Sequence, residues 1–210
     1  MNTIEQIILK SVERLRRKGK LDGVVLSNSI RKDSGIHLAD TSEDKLRNYT
    51  SKFTNFAYLH GIGHAKDSWH EINGLIRPIV SAGVIELAKM LPYLPIFDKN
   101  HLYRAVGIKL GKNTTVAPRV QFDYLHPELI EIGDNCLIGD GAKIWTHNHG
   151  IDFFMIGSVK IGDNVMIGSE SIIGPSTMGD NVFIGVGSFV YGNIPSGAKV
   201  KGREKSSYTK

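Results

Sequence analysis

Cysteine is almost missing from this sequence: Cys136 is the single one in 210 residues. A disulfide framework is therefore excluded, and a lone thiol among apolar neighbours reads as a buried one. Long apolar runs are missing too. The longest, Ile79 to Leu91, is interrupted by Glu86 and Lys89 and is too short to span a bilayer. Met1 to Lys20 carries Glu5, Lys10, Glu13 and Arg14 and so lacks the unbroken apolar segment of a secretion signal. A cytoplasmic location is the expectation. A large excess of one charge is missing as well: 26 Lys and Arg against 21 Asp and Glu leave a formal +5. That suits an anionic ligand, but no basic run with interleaved aromatics marks a nucleic-acid surface, so no nucleic-acid partner is expected.

Glycine is unevenly distributed. Seven of 23 lie in residues 1–105 and sixteen in residues 106–210. The glycine-rich half repeats itself. Large apolar residues recur every six positions, in four sets: Leu110, Val116, Phe122; Ile132, Ile138, Ile144; Ile161, Ile167, Ile173; Met178, Ile184, Val190. Two residues before most of them stands a small one, including Thr114, Cys136, Ala142, Val165, Ser171, Val182 and Ser188. Gly-x-Asn opens each set at Gly111, Gly133, Gly162 and Gly179. Alternate residues of a strand share a face, so a large and a small residue point inward from each short strand. Gly, Asn and Asp at the corners supply the positive φ of a sharp bend. Three corners close a coil, and stacked coils make a parallel β-helix, whose signature is hexapeptide periodicity.

The first half reads as helical. Residues 3–18 form an amphipathic helix with Ile4, Ile7, Ile8, Val12 and Leu15 on one face, and its Arg-rich end reads as solvated. Val24 to Leu26 reads as a short strand or extended packing segment, and Ser42 to Leu59 as a helix burying Leu46, Tyr49, Phe53 and Phe56. A helical segment leads from Ser68 to Pro78, and another from Ile79 to Leu91 stops at Pro92. This last helix is apolar around most of its circumference. Burial is its first reading; lying on a membrane surface, as a peripheral contact, is the alternative. His60, His64 and His70 lack metal-ligand spacing, because glycines break the helix that would align them. The expected division is an α-helical N-terminal region over 1–104, a β-helix over 105–202 and a tail over 203–210.

Two insertions depart from the repeat. Four extra residues lie around Asp123–Glu128. Eleven lie between Ile144 and Ile161 and contain Trp145-Thr-His-Asn-His-Gly-Ile-Asp152. A packed repeat has no evident structural use for the larger one, and loops on a rigid scaffold are where function concentrates.

Ile132-Gly-Asp-Asn-Cys-Leu-Ile-Gly and Ile161-Gly-Asp-Asn-Val-Met-Ile-Gly resemble the hexapeptide-repeat acyltransferases, and within them the maltose/galactoside and xenobiotic acetyltransferase-like enzymes. The resemblance covers about residues 105 to 202. It implies a mainly β protein whose β-helix is left-handed, with about four coils, a homotrimer, and acetyl-CoA as co-substrate with no metal. Asn148-His-Gly-Ile-Asp152 matches the family's Asn-His-x-x-Asp pattern, which implies that His149 is the general base, with Asp152 able to orient it. The residue type fits, because histidine can take and return an alcohol's proton near neutrality. Ser169 maps to the backbone donor for the oxyanion. Gly185 and Gly187 fall along the coenzyme's arm, and Lys199, Lys201 and Arg203 offer charge to its phosphates. His147, Asn148 and Asp123 are candidates for the acceptor side, with His147 a rival base through its Thr-His pair. The implied reaction is O-acetylation of a small-molecule, sugar or glycan hydroxyl. The competing readings are a zinc carbonic anhydrase using His126, His147 and His149, and a non-catalytic scaffold.

Overall fold

The computed structural model describes residues 6, 7, 10, 14, 17, 23–26, 56–60, 70, 72–91, 98–151 and 153–202. Residues 109–200 form the parallel β-helix. Its rungs stack in the register of the six-residue repeat: Leu110 pairs with Ile132, Ile132 with Ile161, and Ile161 with Met178. Val116, Ile138, Ile167 and Ile184 stack in a second column. Phe122, Ile144, Ile173 and Val190 make the third. Ile194 and Val200 extend the first two columns by one more rung. The inward residues of the four sets, large and small alike, are buried, Cys136 among them, while Ile194 and Val200 at the end of the stack are partly buried. Burying each large aliphatic side chain contributes about 1.5–3 kcal/mol, so the stack is the main source of the fold's stability.

The corners divide their task between two residue types. Asn113, Asn135, Asn164 and Asn181 take positive φ, between 54° and 58°. The glycines that open the same motifs do not; they are small because the next coil lies directly against them. A Cβ at Gly133 would run into the Asp163 carboxylate and, 2.7 Å away, the Gly162 carbonyl oxygen. Those carboxylates tie the coils together. Asp134 accepts from the Lys112 N–H at 2.7 Å, Asp163 from the Asp134 N–H at 2.7 Å, and Asp180 from the Asp163 N–H at 2.8 Å.

The short helix Asn100–Ala105 covers the first coil. Tyr103 is fully buried edge-on to Phe122, with ring centroids 4.9 Å apart, and Asn100 Nδ2 donates to the Thr114 carbonyl at 2.8 Å. The helix Ile76–Met90 packs beside it through Pro78, Ser81, Ile85 and Ala88. The break before this helix lies at Gly74, where φ is 73°, and not at Pro78. Proline is tolerated in a helix's first turn, where no intrahelical N–H bond is needed. Burial of this helix is confined to one stripe: Ile76, Ile79, Val80, Leu87 and Met90 are exposed.

The N-terminal region is not all helical. The described residues at 6, 7, 10, 14 and 17 are helical, but Gly23–Leu26 and Phe56–His60 are antiparallel strands. Phe56–His60, expected to end a helix, pairs instead with Phe153–Gly157. An aromatic-rich segment suits a pleated surface, and an available sheet edge overrides helical periodicity; residues 42–55 of that expected helix lie outside the described ones, as do His64 and the segment around it. The eleven-residue insertion therefore has a structural use. His147–His149 and Phe153–Gly157 form a hairpin, and its outer strand ties the N-terminal segment to the β-helix.

Candidate active site

The register of the β-helix builds the site. Asp123 follows the anchor Phe122, and Trp145 follows Ile144 on the next coil; the Asp123 N–H donates to the Ile144 carbonyl at 2.9 Å. Asp123 thus sits one rung from Thr146 and His147. Its Oδ2 accepts from the Thr146 N–H at 2.8 Å, from the Thr146 hydroxyl at 2.6 Å and from His147 Nδ1 at 2.5 Å. Its Oδ1 accepts from the Leu125 N–H at 2.8 Å. The carboxylate is fully buried. Burial alone would raise its pKa, but the hydrogen bonds from His147 and Thr146 and the attraction of the imidazole outweigh it. They hold Asp123 well below the usual carboxylate range. An ionised carboxylate only accepts, so His147 keeps its proton on Nδ1 and presents Nε2 as the free base.

His147, Asn148 and His149 lie on one extended strand, so the two rings share a face, as their two-residue spacing requires. Both line a cavity of about 450 Å³, together with Asp123, Tyr124, Trp145 and Asn148. Ala82, Ile85 and Glu86 of the long helix close another side. The two rings pack on buried Phe154, His147 stacked at 6.0 Å and His149 edge-on at 5.1 Å between centroids. His149 is held less firmly. Its Nδ1 meets only the Gly150 carbonyl, at 3.5 Å, and its Nε2 is buried without a partner. Burial lowers its pKa, against a smaller opposing effect of that carbonyl, and His147 adds to the lowering.

The other expected residues fall elsewhere. Ser169 sits at a β-helix corner, where its carbonyl accepts from the Gly187 N–H at 2.9 Å, and does not line the cavity. Gly185 packs against Gly202, and Lys199 and Lys201 are exposed at the same end. Asp152 and Arg203 lie outside the described residues. Asp123, a candidate for the acceptor side, lines the cavity itself, with both of its carboxylate oxygens already engaged. His126 also packs on Phe154, at 6.4 Å, but among the described residues no His, Cys, Asp and Glu group is arranged to hold a metal ion.

A sequence profile described as the hexapeptide repeat of succinyl-transferase matches residues 130–152 and 158–191. A Bacillus subtilis (strain 168) protein named "Putative acetyltransferase YvoF" is 35% identical over 156 residues, covering 72% of this chain and 90% of its own length. "Putative acetyltransferase SAR0816" of Staphylococcus aureus (strain MRSA252) is 37% identical over 65 residues, 30% of this chain and 39% of its own. Among solved structures, a maltose O-acetyltransferase from Clostridium difficile 630 shows 26% identity and a TM-score of 0.44, over 57% of this chain and 78% of that one. A hexapeptide-repeat acetyltransferase of Vibrio cholerae O1 biovar eltor, complexed with acetyl coenzyme A, shows 20% identity and a TM-score of 0.45, over 57% and 79%. With the repeat, its register and a relative matched across most of its length, this chain belongs to the hexapeptide-repeat acyltransferase family.

Proposed function

We propose that the protein is an acetyl-CoA-dependent O-acetyltransferase acting on a hydroxyl of a sugar or glycan-type acceptor, with His147 as general base held by Asp123. The observation that carries this reading is the pairing of His147, partly exposed at the wall of the cavity, with the buried Asp123 carboxylate. A hydroxyl bound there loses its proton to His147 Nε2 as its oxygen attacks the thioester carbon. The tetrahedral oxyanion then collapses, the carbon–sulfur bond breaks, and the departing thiolate takes the proton back from the imidazolium. Asp123 fixes the tautomer and offsets the charge that His147 gains.

The second reading keeps His149 as the base. The Asn-His-x-x-Asp match favours it, as does an Nε2 with no partner inside the protein. In the first reading His149, neutral because burial disfavours its charged form, hydrogen-bonds the acceptor alongside Asn148. The oxyanion donor we assign is the Ser169 N–H. Because Ser169 does not line the cavity of its own chain, the proposal requires it to serve a neighbouring copy in a homotrimer. Gly185, Gly187, Lys199, Lys201 and Arg203 would hold the coenzyme along the C-terminal coils. No helix among the described residues is long and apolar enough to cross a membrane; we propose a cytoplasmic enzyme, with the exposed face of the Ile76–Met90 helix available for peripheral membrane contact. The test is release of free thiol from acetyl-CoA across a panel of sugars, nucleotide sugars and amines. Acceptor-dependent release with sugars supports the reading; turnover only with amines, or none, overturns it. A stable monomer in light scattering removes the trimer.

A further inference from the structure

We infer that a second cavity, lined by His126, whose ring packs on Phe154 as those of the two site histidines do, binds a phosphate monoester or inorganic phosphate. This cavity, of about 380 Å³, is enclosed by N-terminal helical residues, the helix Ile76–Met90 and the turn at residues 125–128. Among the described residues that line it are three cations, Lys10, Arg14 and Arg77, and one carboxylate, Glu128. Lys10 and Arg14 stand four residues apart on helical turns and so share a face. A recess in which cations outnumber carboxylates concentrates anions.

The inner wall points to phosphate in particular. His126 is 4% exposed, and its Nε2 is bonded to Asn73 Oδ1 at 3.0 Å. Its Nδ1 is buried with no hydrogen-bond partner, 3.6 Å from Glu128 Oε1. Glu128 Oε1 accepts from Arg77 at 2.7 Å, while Oε2 is buried without a partner. A buried polar atom left unpaired is costly, so the wall offers unused acceptors beneath a rim of cations. Phosphate answers both: its oxygens accept from Lys10, Arg14 and Arg77, and the hydrogen phosphate dianion or a monoester's monoanion still carries one O–H to donate to Glu128 Oε2 or His126 Nδ1. Sulfate has no such proton at neutral pH. The phosphate can be that of a soluble metabolite or of a lipid headgroup. Arg77 stands among Ile76, Ile79 and Val80, exposed by 77%, 64% and 56%, which gives the second source an apolar surface to rest on.

The inference is independent of acetyl transfer, because binding is read without turnover. Calorimetric titration of the full chain with inorganic phosphate, with and without saturating acetyl-CoA, is the test. Saturable binding of one phosphate per chain is expected, about tenfold tighter than sulfate and weakened at least about tenfold in Lys10→Ala/Arg14→Ala. Arg77→Gln, on a different element, should repeat the loss, and thermal melts of both variants show that the fold is retained. Cosedimentation with phosphatidylcholine vesicles, with and without phosphatidic acid, separates the sources. Retention only with phosphatidic acid assigns the headgroup, and equal behaviour assigns the soluble ligand. No saturable binding, binding indifferent to these substitutions, equal affinity for sulfate, or displacement by acetyl-CoA would each overturn the inference.

Discussion

Asp123 and His147 are 24 residues apart in the chain and meet at 2.5 Å. Each stands just beyond the third anchor of its own coil, so the stacking of Phe122 on Ile144 brings them together. The two insertions, one after each anchor, make a single site because the repeat beneath them keeps register.

Substitution separates the two histidines. His147→Ala should lower kcat by about 10²–10⁴-fold. Asp123→Asn, which removes the negative charge and turns one of the two accepting oxygens into an N–H donor, should lower it by about 10–100-fold. His149→Ala should act mainly on the acceptor KM. Steady-state kinetics with saturating acetyl-CoA check all three, and the largest kcat loss at His149 instead would transfer the base to that residue.

Acid should destabilise the fold in two stages. His149 has its folded pKa below the ordinary 6.5 because burial disfavours its charged form. The unfolded chain therefore binds more protons there, and stability falls as pH drops below about 6.5. Asp123 has its folded pKa below the ordinary 3.8. Its contribution is complete above that value and is lost as pH falls through the folded one. Melting temperatures measured downward from neutral pH should decline in both ranges. In Asp123→Asn the lower-pH decline should shrink, and in His149→Gln the upper one.

Gly133→Ala should destabilise the β-helix by about 1–3 kcal/mol, because the added methyl meets Asp163 and the Gly162 backbone and the coils must part. Asn135→Ala, at a φ of 55°, tests the other half of the corner and should cost about 1–2 kcal/mol. Urea denaturation distinguishes the two: both midpoints should fall, and the glycine variant's further.

Phe154→Ala should couple stability to the site. The ring is 1% exposed and touches His126, His147 and His149. Its loss should cost about 3–5 kcal/mol and raise the acceptor KM as both site rings lose their backing. Trp145 fluorescence gives a direct readout, since that side chain lines the same cavity.

The β-helix was legible because its physics is local and periodic. A large residue every six positions, a small one two before it and an Asn at the corner recur until only stacked coils satisfy them all. The columns of Leu110, Val116 and Phe122 could be written down from spacing alone. The insertions were legible as interruptions of that period, and the histidines as residue types fit for proton transfer. What the glycines do was less so: Gly133 reads as a residue chosen for φ until the next coil is seen against it. Pairing between segments distant in sequence has no local signature. Helical periodicity up to Leu59 did not reveal that Phe56–His60 would find an open edge in the hairpin, nor did the larger insertion show that it would provide one. The same holds at the site. The Asn148-His149 motif is contiguous and draws attention in the sequence, whereas Asp123 and His147 belong to different coils. Their contact, and the full burial of the Asp123 carboxylate that makes it count, exist only once the rungs are stacked.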